Sequence, residues 1–137
     1  MVAFKRPKMS TKKSPFRANQ AQTCSFIVGA DLGTTVNVAV QLKDERLENA
    51  AVKTNLYIYL SDDAVGDVLV VTAPSGGWAI GTDGTIHAIT AGKTARILTE
   101  ANGKFDVTIT EAGAKTLYLN VVMPDGSVVI SPVITFV

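Results

Sequence analysis

TEANGKFDVTITEAGAKTLYLNV, residues 99–121, is the stretch on which the fold class turns. Phe105, Val107 and Ile109 alternate with Asp106, Thr108 and Thr110, and Leu117, Leu119 and Val121 alternate with Tyr118 and Asn120. A period of two marks strands with one buried face, and no apolar stripe of helical spacing competes with it. Asn102-Gly103 and Ala112-Gly113 supply residues that tolerate positive φ, so both read as turns, the first as a hairpin signal. The stretch carries no obvious catalytic group, and it predicts a scaffold.

The same pattern extends in both directions. In VNVAVQLK (residues 36–43), Val36, Val38, Val40 and Leu42 share one face. In VKTNLYIYL (52–60), the alternation turns Val52, Leu56, Ile58 and Leu60 inward and places Lys53, Asn55, Tyr57 and Tyr59 outward. DVLVVTA (67–73) reads as a further strand before the loop Pro74-Ser75-Gly76-Gly77, and Asp83-Gly84 reads as a hairpin turn between 78–80 and 85–90. Residues 96–99 lead to Asn102-Gly103, Pro124-Asp125-Gly126 turns the chain, and SVVISPVITFV (127–137) closes it. About seven to nine short strands separated by such turns predict an all-β, immunoglobulin-like antiparallel sandwich, with a barrel as the alternative. Pro132 lacks an amide donor and is expected at a bulge or an edge of the last strand.

Length and composition agree with one domain: 137 residues, 47% hydrophobic and 18% charged. The formal net charge of +1 conceals a division. Residues 1–22 hold Lys5, Arg6, Lys8, Lys12, Lys13 and Arg17 with no acid, whereas 23–137 hold seven cations against all twelve acids. Residues 1–22 are therefore read as an extended basic N-terminal arm and 23–137 as the sandwich. The arm has too little apolar surface to fold alone, and its recurring charges and prolines do not suit a signal peptide. No apolar run reaches membrane-spanning length, so no membrane association is expected. Cys24, the single cysteine, excludes an intramolecular disulfide and is expected as a small buried residue.

Two stretches carry a family likeness. LKDERLENAAVKTNLYIYL (42–60) resembles the first half of a bacterial immunoglobulin-like (Big-type) domain, where a strand ends in a charged turn and a small residue precedes the next strand. TEANGKF (99–105), followed by Ala112-Gly113, resembles that family's later turn and Ala-Gly pair, while residues 65–93 depart from it with a Gly-rich loop and an extra hairpin. The ending PDGSVVISPVITF (124–136) looks like that of sandwich domains in tailed-bacteriophage structural proteins, including capsid decoration proteins. The resemblance implies a virion location and a noncatalytic, structural role. It implies major capsid protein or other virion subunits as partners, in a homo-oligomer or symmetric array.

Candidate chemistry is sparse. His87 is the only histidine and is expected to face solvent on a strand; no catalytic residue, metal or cofactor is expected. Asp62, Asp63, Asp67 and Asp83 lack the ligand spacing of a calcium loop. Gly76-Gly77 and Gly81 to Gly84 are followed by no Walker lysine or helix start and read as turns. Trp78 is expected in the core. Function is sought instead in the arm. At about 3.3 Å per residue its 22 residues extend to roughly 70 Å, enough to cross a neighbouring subunit. Phe4 and Phe16, with Met9, are apolar anchors among the cations Lys5, Arg6, Lys8, Lys12, Lys13 and Arg17. An acidic protein surface is the favoured partner and nucleic acid the second, because the body is acidic and shows no interleaved aromatic and basic groove. Tyr57, Tyr59 and Tyr118 are the candidate domain interface. The reading that results is a capsid decoration or cement protein, with a neck, tail or baseplate component as alternative and a bacterial surface adhesin module as a third class.

Overall fold

In the computed structural model, which describes residues 20–137, ten strands form two antiparallel sheets, and the described residues contain no helix. No helix among them is long and apolar enough to cross a membrane. The four-stranded sheet runs β1 (Thr23–Val28), β2 (Thr35–Lys43), β7 (Lys104–Thr110), β4 (Trp78–Ile80). The six-stranded sheet runs β10 (Ile134–Phe136), β8 (Lys115–Val122), β3 (Asn55–Ser61), β6 (Thr94–Leu98), β5 (Thr85–Thr90), with β9 (Val128–Ile130) also paired to β8. The chain is thus an all-β sandwich.

The predicted alternation builds its core. Val36, Val38, Val40 and Leu42 of β2 and Phe105, Val107 and Ile109 of β7 are buried from one sheet. Leu56, Ile58 and Leu60 of β3, Ile97 of β6, and Leu117, Leu119 and Val121 of β8 are buried from the other. Each fully buried Leu, Ile or Val contributes about 1.5–3 kcal/mol relative to exposure, so these strands supply most of the driving force for folding. Folded structure begins before β1: Ala21 is buried and the Gln22 N–H donates to the Lys43 carbonyl at 2.8 Å.

Two predicted hairpins are crossings between sheets. Asp83-Gly84 carries the chain from β4, paired with β7, to β5, paired with β6. Asn102-Gly103 carries it from β6 to β7, again in different sheets. In both places the residues turn the chain as expected; the Asp83 N–H and carbonyl bond to Asp106 of β7, and the Gly103 carbonyl accepts the Leu42 N–H of β2. Gly103 has φ +74°, and a Cβ there would collide with the Ala50 carbonyl. Ala112-Gly113 likewise passes from β7 to β8, while β1–β2, β5–β6 and β8–β9 are the consecutive pairs within one sheet.

Three further expectations change. Residues 67–73 form a loop with one isolated bridge, Ser61 to Leu69; only Val70 is buried, and Val68, Leu69 and Val71 are exposed. Val52 is exposed because β3 begins at Asn55, after the chain has bent away. Trp78 is only half-buried: it sits on the short β4 facing Ile109, packs against the core, and its indole Nε1 has no hydrogen-bond partner. Pro132 falls between β9 and β10 on a sheet edge. There the pairing with β8 shifts by one residue, from Asn120–Ile130 to Leu117–Ile134. Ser131 bridges the gap, its Oγ accepting the Leu119 N–H at 2.9 Å.

Candidate interaction surface

Register across the six-stranded sheet aligns one outward row. His87 faces Arg96, Arg96 faces Tyr57, Tyr57 faces Val122, and Val122 faces Val128. His87, Arg96, Tyr57 and Val128 are exposed and Val122 is half-buried; Tyr57 retains 54% of its accessible surface. Tyrosine and arginine are enriched among residues that dominate binding energy, because each brings a large apolar body with a polar end. The alternation in the sequence places Tyr57 outward but does not give its row, since only the register of five strands brings His87, Arg96, Val122 and Val128 beside it.

The other two tyrosines have different surroundings. Tyr59 also points outward, but its hydroxyl donates to the Gly66 carbonyl at 2.8 Å, tying down the loop that follows β3. Burial raises its pKa, as do the charges of Asp63 and Asp67. Tyr118 is half-buried and lies opposite Ser61. Between them Asn120 is fully buried on the outer face, donating to the Ser61 Oγ at 2.8 Å, while its Oδ1 has no partner. Gly66, with φ +75°, closes over Asn120 so tightly that a Cβ would strike the amide oxygen. The three tyrosines therefore do not form one open patch.

The acids are engaged with backbone. Asp63 accepts the Asp67 and Val68 N–H groups at 3.2 and 3.1 Å, and Asp62 accepts that of Val71 at 3.0 Å. On the opposite sheet Asp106, 7% exposed, accepts the Thr82 N–H at 2.8 Å, the Asp83 N–H at 2.6 Å and the Asn37 Nδ2 at 2.8 Å. Burial opposes the charged form of Asp106, but these donors outweigh it and hold the carboxyl below the usual carboxylate range. No group of three or more His, Cys, Asp or Glu among the described residues is arranged to hold a metal. Cys24 is buried, which pushes its thiol up to about 12 and makes it a poor nucleophile. His87 stands exposed on β5, as expected.

Two open grooves lie among the described residues. One of about 350 Å³ lies where the described chain begins, among Gln20, Gln22, Val52, Thr54, Pro124 and Asp125. The other, of about 170 Å³, lies on the four-stranded sheet among Ser25, Ile27, Ala39, Gln41 and Lys104. Phe4, Lys5, Arg6, Lys8, Lys12, Lys13, Phe16 and Arg17 of the basic arm lie outside the described residues. Comparison with protein-family models, curated proteins and solved structures gives no match. Fold and surface together define a two-sheet sandwich with one exposed Tyr–Arg row.

Proposed function

We infer that the chain is a noncatalytic virion structural protein, a capsid decoration protein whose basic N-terminal arm binds capsid subunits while the sandwich sits over their junction. The observation that carries this reading is the division of the chain. Six cations and no acid in residues 1–22 precede a body whose buried Asp106 and loop acids Asp62 and Asp63 serve its own backbone. The strand order adds support for the immunoglobulin-like subtype. β1-β2-β7-β4 facing β10-β8-β3 follows the A-B-E-D and G-F-C order of that fold, while the β5–β6 hairpin inserted after β4 is this chain's own. Fold alone does not specify function, so the arm and the Tyr57 row carry the functional weight.

The test is binding to purified capsids that lack the protein. Full-length chain is expected to bind and a chain without residues 2–19 to lose binding while keeping its thermal unfolding transition, since β1 and the Gln22 anchor remain. Unchanged binding would remove the role given to the arm. Mass spectrometry of virions separates capsid from the alternative, a neck, tail or baseplate location: a copy number comparable to the capsid subunits marks the former, and that of a single ring the latter. Absence from virions excludes both.

A further inference from the structure

An open sheet ends in a row of unpaired N–H and C=O groups that another chain can extend, and proteins blunt such edges with short strands, bulges, prolines or charges. Among the described residues, three of the four sheet edges are blunted. β4 has three residues. The β9–β10 edge is two three-residue pieces separated by a register shift beside Pro132. β5 loses register with β6 between Ala88 and Thr90. β1 has none of these features. Its six residues, TCSFIV, keep one unbroken register with β2 from Thr23–Lys43 to Val28–Val38, and none is charged, proline or glycine.

The ladder shows which groups are free. Gly29 N–H donates to the Asn37 carbonyl and Leu42 N–H donates to the Gly103 carbonyl, so odd residues of β2 point toward β1 and even ones toward β7. Thr23, Ser25 and Ile27 are therefore the β1 residues bonded to β2. Cys24, Phe26 and Val28 turn their backbone groups to the open side, where no other strand of the described residues pairs.

We propose that β1 is a self-association edge, through which two copies of the chain pair antiparallel about a two-fold axis at Phe26 and join their four-stranded sheets into one continuous sheet. A two-fold antiparallel pair presents the same strand twice, so the free groups must match themselves. Centring on Phe26 uses all three residues: Phe26 pairs with the partner's Phe26 and Cys24 with the partner's Val28, giving about six backbone hydrogen bonds. Phe26 and Val28, half-buried against the core, gain a neighbour where the sheet now ends. Ile27, 73% exposed, comes to stand beside the partner's Ser25, at the mouth of the groove of about 170 Å³ that Ser25 shares with Ala39, Gln41 and Lys104. A second copy is the matching occupant because none of the six residues of this edge is charged and its free groups are self-complementary. A strand pair of this length belongs with small, reversible interfaces of under about 1,200 Å². The inference stands independently of the virion reading.

Sedimentation velocity of the full-length chain from micromolar to millimolar concentration tests it. A reversible monomer–dimer equilibrium is expected, and Ile27→Lys, which places two cations at the joint, is expected to weaken it at least about tenfold without changing the circular dichroism spectrum. Under oxidation Ser25→Cys/Ile27→Cys is expected to give a covalent dimer, and neither single substitution is, because position 25 faces position 27 of the partner. A wild-type chain monomeric throughout the range overturns the proposal. So does a dimer that Ile27→Lys leaves intact, or dimerisation seen only after removal of residues 2–19, which would assign the edge to the chain's own N-terminal segment.

Discussion

The two connections that roof the outer faces of the sandwich are both held by aspartate, and they are held in opposite ways. Over the four-stranded sheet, Asp106 projects outward from the centre of β7 and gathers Thr82, Asp83 and Asn37 onto one buried carboxylate. Over the six-stranded sheet, Asp62 and Asp63 belong to the loop itself and bond its own Val71, Asp67 and Val68, while Tyr59 grips it from below. The first carboxylate joins distant parts of the chain; the second pair shapes a local turn. An acid anchored in a core strand thus acts on tertiary structure, and an acid within an exposed loop acts mainly on that loop.

The contrast breaks most severely at Asp106. Asp106→Ala leaves two backbone donors and one side-chain donor without their acceptor and is expected to cost roughly 2–4 kcal/mol, read as a lower urea midpoint with unchanged slope. The same carboxyl imposes a pH dependence. Its folded pKa lies below its unfolded value, so its contribution is complete above the unfolded value of about 4 and is lost as pH falls through the folded one. Stability difference between wild type and Asp106→Asn is expected to shrink on acidification from about pH 7 toward pH 3; a constant difference would show that the charge is immaterial.

On the other face the expected effects are smaller. Gly66→Ala meets both a positive φ and the Asn120 amide, and is expected to cost about 1–2 kcal/mol while raising hydrogen exchange across 62–73. Tyr59→Phe removes one hydroxyl donor to Gly66 and is expected to cost about 1 kcal/mol in chemical denaturation. Asp63→Ala is expected to leave the unfolding midpoint within error and to accelerate exchange only at the Asp67 and Val68 amides. A global loss from Asp63→Ala as large as that from Asp106→Ala would abolish the distinction.

The central strands were legible because burial imposes alternation locally: every inward residue expected in β2, β7 and β8 is buried. The crossings were not. Asp-Gly and Asn-Gly report that the backbone can adopt positive φ, and Gly84 and Gly103 do so at +95° and +74°, but a turn residue carries no information about the next strand's partner. What the turn residues meet is remote in sequence: Asp83 bonds Asp106, and the Gly103 carbonyl accepts the Leu42 N–H. Residues 67–73 misled for a related reason: valine-rich composition suits a strand, yet a strand also needs a neighbour, and here only Leu69 finds a bridge. The surface was legible in Tyr57, whose outward position follows from its own strand. Its row was not, because cross-strand register is a property of the assembled sheet.

The sheet crossings also govern how the chain reaches its fold. Asn37 meets Asp106 across 69 residues, and Asn120 meets the β3 backbone across 61. A chain emerging from the ribosome cannot complete the centre of either sheet until β7 and then β8 have been made. Non-local pairing of this kind places folding in the slow range of roughly milliseconds to seconds. Throughout that delay β2 and its neighbour β1 present bare apolar strand edges, so synthesis itself is the interval in which this protein is most exposed to aggregation.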